Sequence, residues 1–448
     1  MAMDATSIPL GPEDRAILSL ESTTVVGHTC KVLRLGPGAP GVPELRARVA
    51  QRIGLTPALT RRLAGSAQAP AWQADPSFDV ADHVVGAPGS EPLDQAGLRG
   101  LVAELFAQRL DRERALWRMD VAALEDGGTA IVWRIHHALA DGTTSVRYAG
   151  ALLWDEPSEQ HPSGGGAAAS DIHQPAGGHD PAGGHDRGGA KARAEGTSID
   201  EETRRVGHLA GFLKREFAEG HSPFDGKIGR RREIGFAVVS LRELHAASRA
   251  VAGATVNDAV LAVLAGGLRD WITERHGHLG AVRVRVPVSL HHEGEDAANR
   301  DSYFSLSLPL NEPDPAARLR AVHERTLARK QGGDAEEMEY VMHELAGISP
   351  RLQRFCARLQ ASPREFALCV SNVPGPRQPV RVLGAPVHTM HSIAEIGQRH
   401  ALRVAAISLA GALCFGFCAD PDLIEGVQDM ADLVHAQART LIDSVHPV

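Results

Sequence analysis

The sequence predicts an α/β protein of two similar mixed-sheet halves joined by a linker, and three observations carry that expectation. Alternating, strand-like segments and amphipathic, helix-like segments follow one another on both sides of a long run of Gly, Ala, Ser, His and Pro. That run, residues 157–200, repeats PAGGHD at Pro175 and again at Pro181, and it holds too few apolar side chains to order a core. The 448 residues are 43% hydrophobic and 23% charged, an ordinary globular mixture for two or three domain-sized units. Residues 1–156 are therefore expected to form the first half, 157–200 a flexible linker and 201–448 the second half.

In the first half, residues 97–110 place Leu98, Leu101, Val102, Leu105 and Phe106 on one helical stripe. Leu116–Leu124 reads as a strand, Glu125–Gly128 (EDGG) as a hairpin turn, and Thr129–Ile135 as the returning strand, which runs directly into His136 and His137. In the second half, Val282, Val284, Val286 and Val288 alternate with polar residues, as do Phe304, Leu306, Leu308 and Leu310, the period of half-buried strands. Thr255–Ile272 and Ala316–Lys330 read as the helices between such strands. Ala405–Ala419 is the most apolar stretch; it is too short for the roughly 20 residues of a spanning helix. With Gly411 and Gly416 inside it, a buried hairpin is expected.

Charge and cysteine usage exclude several functions. Lys and Arg total 47 against 55 for Asp and Glu, a net charge of -8, so no basic field exists to hold nucleic acid. Cys30, Cys356, Cys369, Cys414 and Cys418 are odd in number and contain no CxxC pair, which fits free thiols in a reducing cytoplasm better than a disulfide or zinc framework. The first residues carry acidic side chains early and lack a basic stretch before an apolar run, so no signal peptide is expected. No Gly-rich loop ends in Lys-Ser or Lys-Thr, so ATP is not implied. Lys227, Arg230, Arg231 and Arg232 form a basic cluster, read either as a solvated turn or as a seat for phosphate groups or anionic lipid headgroups.

The chemistry begins at HHALADG, His136–Gly142. A histidine at a strand end is rigidly aimed, and a neutral imidazole can take a proton from a hydroxyl and return it. If the strand persists to its end, Ile131, Trp133, Ile135 and His137 share one face and His136 takes the other. Two structural histidines before an Asp-Gly turn is the plainer alternative. Asp141 without nearby cysteines makes a poor ligand set, so no metal is expected. Thr255 and Asp258 have capping-box spacing; Asn257 has no such duty, and lining a cleft or simply starting the helix both account for it. Ser371 and Asn372, ending the strand FALCV before Pro374-Gly375-Pro376, suit either an oxyanion contact or a rigid turn.

Taken in order along the chain, DPSFDVADHV (Asp75–Val84), RALW (Arg114–Trp117), HHALADG, ATVNDAVLA (Ala254–Ala262), PVSL (Pro287–Leu290), SNVPGP (Ser371–Pro376) and ISLAGALCFGFCAD (Ile407–Asp420) resemble the bacterial wax ester synthase/diacylglycerol acyltransferase family, part of the CoA-dependent acyltransferase superfamily. The departure is Ala115, where the family has Pro in PLW. The resemblance implies two acyltransferase-like halves with the active site in a tunnel between them. It implies His137 as general base, His136 and Gly142 as shaping residues, and Asp141 ordering the loop by pairing with an arginine. It also implies acyl-CoA and diacylglycerol or a long-chain alcohol as substrates, no cofactor, no acyl-enzyme, and peripheral association with the inner membrane or lipid droplets. A condensation-domain-like enzyme using carrier-protein thioesters shares the motif and is the first alternative; a non-catalytic lipid-binding descendant is the second.

Overall fold

Hairpins and caps written into the sequence build the scaffold. The structure is a computed structural model in which residues 7–66, 68–89, 91–155, 222–289, 301–331 and 366–445 are described. The expected linker at 157–200, the start of the second half at 201, Leu290 and Cys356 lie outside the described residues. Around the EDGG turn, β6 (Trp117–Ala123) pairs antiparallel with β7 (Thr129–His136), Trp117 opposite Ile135. Asp94 caps the Gln95–Phe106 helix by accepting from Gly97 N at 2.6 Å, so the helix starts two residues before the expected residue 97. It stops at Phe106, where Arg134 takes the carbonyls of Leu105 and Gln108. Thr255 and Asp258 form the expected capping box on the Val256–His276 helix, and Gly277, at φ 71°, ends it.

Two six-stranded mixed sheets carry the fold. The first has the order β12 (Arg381–Val382), β13 (Ala385–Ala394), β2 (His28–Leu35), β7, β6, β5 (Val84–Gly86). The second has the order β10 (Asp301–Ser307), β9 (Arg283–Ser289), β11 (Leu368–Val373), β14 (Leu402–Leu409), β15 (Ala412–Ala419), β8 (Glu233–Ser240). A three-stranded sheet of β1 (Ile8–Pro9), β4 (Ala69–Ala74) and β3 (Arg61–Ser66) completes the strands. The apolar stretch Ala405–Ala419 is the expected hairpin, with Ala410 and Gly411 at the turn in positive φ. Among the described residues, no helix is long and apolar enough to cross a membrane.

The division into sheets does not follow the chain. Residues 381–394 leave the second half and pair β13 onto β2, for example His391 opposite Val32. Both hydrophobic clusters consequently draw on both sheets: Cys30, Val132, Val404 and Phe415 share one, and Ile131, Trp133, Ile407 and Cys414 the other. The sheets meet where β13 packs on β14 and β15. A Cβ on Gly416 would fall on the Ser392 carbonyl oxygen, well inside van der Waals distance. Gly416→Ala is therefore expected to destabilise the fold by about 1–3 kcal/mol, read as a lower urea midpoint; an unchanged midpoint would mean that the sheets can separate freely here.

Candidate active site

β7 ends at the motif, and backbone hydrogen bonds hold the turn beyond it. His136 N donates to Leu116 O and His137 N to Gly27 O, each at 2.9 Å. Leu139 N and Ala140 N both turn back to His136 O. Asp141 is the N-cap of the Gly142–Leu152 helix, accepting from Thr144 N at 2.6 Å. This loop-ordering role is the expected one, but its means differ: among the described residues no arginine pairs with Asp141. Nearby on β2, the buried Lys31 donates from Nζ to Ser392 Oγ at 2.7 Å. Burial pushes the Lys31 ammonium down to about 8, and Asp141 opposes that shift.

β7 alternates as expected up to His136, its last residue, and His137 follows as the first residue of the turn. Ile131, Trp133 and Ile135 lie in one core, while His136 turns to the other side and meets Glu21 Oε1 at 3.0 Å. His136 Nδ1 accepts from Ala138 N at 3.1 Å, which leaves Nε2 as the nitrogen that donates to Glu21. Glu21 is also bound by Arg109 at 2.5 Å and Arg112 at 2.6 Å. Burial works against its charge, yet the His136 hydrogen bond and these cations hold the carboxyl down at about 2. His137 is partly exposed, but its Nδ1 is enclosed and has no hydrogen-bond partner among the described residues. Burial, then the charge of Arg403 on β14, lowers its imidazole to about 4, so the ring is neutral at physiological pH.

The second sheet reaches the motif at Gly142, where a Cβ would stand 2.9 Å from Val373 Cγ2. Ser371 and Asn372 lie in the last residues of β11, before the Pro374-Gly375-Pro376 turn. By alternation Ser371 shares the face of Val373 toward the motif, whereas Asn372 takes the opposite face. There Asn372 Nδ2 donates to Asn257 Oδ1 at 2.6 Å, which joins the two predicted amides to each other at the helix start. Asp258 completes the capping box and also meets His323 Nδ1 at 3.1 Å. The open groove of about 870 Å³ between Gly38–Gln51 and Leu383 contains none of these residues.

The motif therefore sits where the two sheets meet, and the chain around it matches a known family. Residues 10–260 match the wax ester synthase/diacylglycerol acyltransferase catalytic domain, and residues 297–441 match the C-terminal domain of the same family. The chain belongs to the wax ester synthase/diacylglycerol acyltransferase family. Membership makes it an acyltransferase. It is 29% identical over 383 residues to a probable diacylglycerol O-acyltransferase of Mycobacterium tuberculosis, covering 81% of this chain and 79% of the relative. Its fold is similar to that of the wax ester synthase/diacylglycerol acyltransferase from Marinobacter aquaeolei VT8, with a TM-score of 0.69, 22% identity, and 98% and 100% of the two chains covered. The first condensation domain of the CDA synthetase has a related fold, with a TM-score of 0.54 at 17% identity, covering 98% of this chain and 97% of that one.

Several residues around this acyltransferase motif escaped sequence reading. Glu21, Gly27, Lys31 and Arg403 belong to no motif and lie far from His137 in the chain, so only their burial and partners reveal them. Arg134 and Asp120 form a fully buried ion pair at 2.9 Å behind the motif strand, on the side of His136. The basic cluster is partly spent: Arg232 is buried against Glu395 at 3.0 Å and Arg231 pairs with Asp422, while Lys227 and Arg230 remain exposed. Of the four described cysteines, Cys30, Cys414 and Cys418 are buried free thiols and Cys369 is partly exposed.

Proposed function

We propose that the protein transfers a long-chain acyl group from acyl-CoA directly to diacylglycerol, a long-chain alcohol, or both, with His137 as general base. The supporting observation is the state of His137: a strand-end imidazole, neutral at physiological pH, whose enclosed Nδ1 leaves Nε2 to meet substrate. Nε2 takes the acceptor's hydroxyl proton as its oxygen attacks the thioester carbonyl and forms the new C–O bond. The tetrahedral intermediate collapses by breaking the C–S bond, and the departing CoA thiolate recovers the proton from His137. Ser371, on the β11 face toward the motif, is better placed to meet the oxyanion than the Asn257–Asn372 pair on the other face. His136, Asp141 and Gly142 shape the loop. No cofactor or metal takes part in these steps, and no acyl-enzyme forms.

Both acceptors partition into lipid, so the enzyme is proposed to work peripherally at the inner membrane or on lipid droplets, inside the cell. Purified protein given palmitoyl-CoA with hexadecanol or dipalmitoylglycerol is expected to release CoA only when an acceptor is present, with wax ester or triacylglycerol as product. Equal CoA release with and without acceptor would refute direct transfer. Activity confined to carrier-protein thioesters would move the reading to condensation-like chemistry, and no transfer from any donor to a lipid-binding role.

A further inference from the structure

The chain leading into β2 is held against the motif in an unusual way. Gly27, at φ 79°, offers its carbonyl to His137 N at 2.9 Å. A side chain there would be doubly excluded: positive φ disfavours it, and a Cβ would stand 2.8 Å from His136 Nε2 and 2.9 Å from Glu21 Cγ. The space above Gly27 is thus filled by the His136–Glu21 pair. Glu21, its side chain only 6% exposed, spends both oxygens here, Oε1 on His136 and Arg112 and Oε2 on Arg109. Arg109 also binds the carbonyls of Ser22 and Val25, and Arg232, reaching across from the second half, binds that of Thr24. Val26 N in turn donates to Glu395 Oε2 at 3.1 Å. Residues 21–27 form a strap, fixed from both halves, whose two ends carry the partners of both histidines.

We infer that Glu21 is a positioning residue of the acyl-transfer site, holding His136 as its Nε2–H tautomer and thereby fixing the peptide that carries His137. The inference rests on the proposed role of His137 as base. The physical argument is that His136 Nδ1 is free to accept from Ala138 N only while the ring proton is on Nε2, and Glu21 is the acceptor that keeps it there. Losing Glu21 frees the ring to exchange tautomers, releases Ala138 N, and loosens the turn in which His137 sits. A misplacement of about 1 Å can cost about 100-fold in rate.

The test has two arms on full-length protein. In long-range ¹H–¹⁵N spectra of histidine-labelled enzyme, His136 is expected as a single Nε2–H tautomer in the wild type and as an averaged pair in Glu21→Ala. In kinetics, Glu21→Ala is expected to lower kcat by about 10- to 100-fold with KM within about twofold, and Glu21→Gln, whose amide oxygen still accepts from His136, to recover most of it. Glu21→Ala in a His136→Ala background should add nothing further, because Glu21 acts through that ring. Additive losses, or an unchanged His136 tautomer in Glu21→Ala, would overturn the inference. If Glu21→Ala does not fold, Glu21→Met, of similar volume but with no oxygen to accept from His136, carries both arms with the same expected outcomes. Should the wild type transfer no acyl group, the proposed function falls while the spectra still decide what Glu21 does.

Discussion

His137→Ala is expected to lower kcat by about 10²- to 10⁴-fold, the usual worth of a positioned general base, while leaving the melting temperature nearly unchanged. The ring is partly exposed and its Nδ1 makes no hydrogen bond among the described residues, so its removal takes little from the fold. The peptide it sits on is held independently, through His137 N to Gly27 O and the His136 turn. The pH profile gives a second reading of the same group. Burial and then the Arg403 charge depress the imidazole to about 4, and only its neutral form accepts a proton. kcat/KM per folded molecule should therefore stay flat from about pH 8 to 5 and fall only as pH approaches that value. Arg403→Gln removes one depressing charge, so its acid limb should move to higher pH. A wild-type limb near 6.5, or a His137→Ala enzyme keeping a tenth of the activity, would remove His137 from the role of base.

Mild acid is expected to unfold the protein steeply, through histidines that the fold keeps neutral. His28 is fully buried with Nε2 on Phe106 O at 2.9 Å, and burial followed by the charge of Arg134 lowers it to about 3. His391, stacked on Phe236 and bonded to Phe415 O, is lowered by burial to about 4, the value His137 shares. In the unfolded chain these rings titrate near the ordinary 6.5. Between that value and about 4 the unfolded state holds up to three protons that the folded state refuses, so stability is complete above pH 6.5 and is lost as pH falls. At about 1.4 kcal/mol per group and pH unit, the slope approaches about 4 kcal/mol per unit, large beside a net stability of about 5–15 kcal/mol. Below pH 4.5 the depressed Glu21 adds to the loss in the same direction. Glu395 and Glu233, raised by burial, oppose it within their own range. Urea midpoints at pH 6.5, 5.5 and 4.5 should fall progressively, and less so in His28→Gln and His391→Gln. Equal midpoints across that range would show that these rings are solvated.

Much of the local structure is legible because local hydrogen bonding writes it into short stretches of chain. The Thr255–Asp258 capping box, the EDGG turn and the Gly411 hairpin each need residues only a few positions apart. The alternation of Ile131, Trp133 and Ile135 against His136 comes from the strand period alone. Ser371 and Asn372 are harder to place, because a strand's last residues look like the turn after them.

What the sequence by itself determined is the α/β class, the hairpins and caps, the motif at a strand end and, through the ordered set of motifs, the family. The tertiary structure alone decided which partners surround the motif. It brought β13 across to β2, set Glu21 and Gly27 against the histidines, bound Lys31 to Ser392, and paired Asn257 with Asn372 on the far face of β11. The reason is physical: a backbone ladder or a buried ion pair asks only for a compatible group at the right place in space. Residues such as Glu21 and His136, 115 positions apart, leave no local pattern by which to find each other.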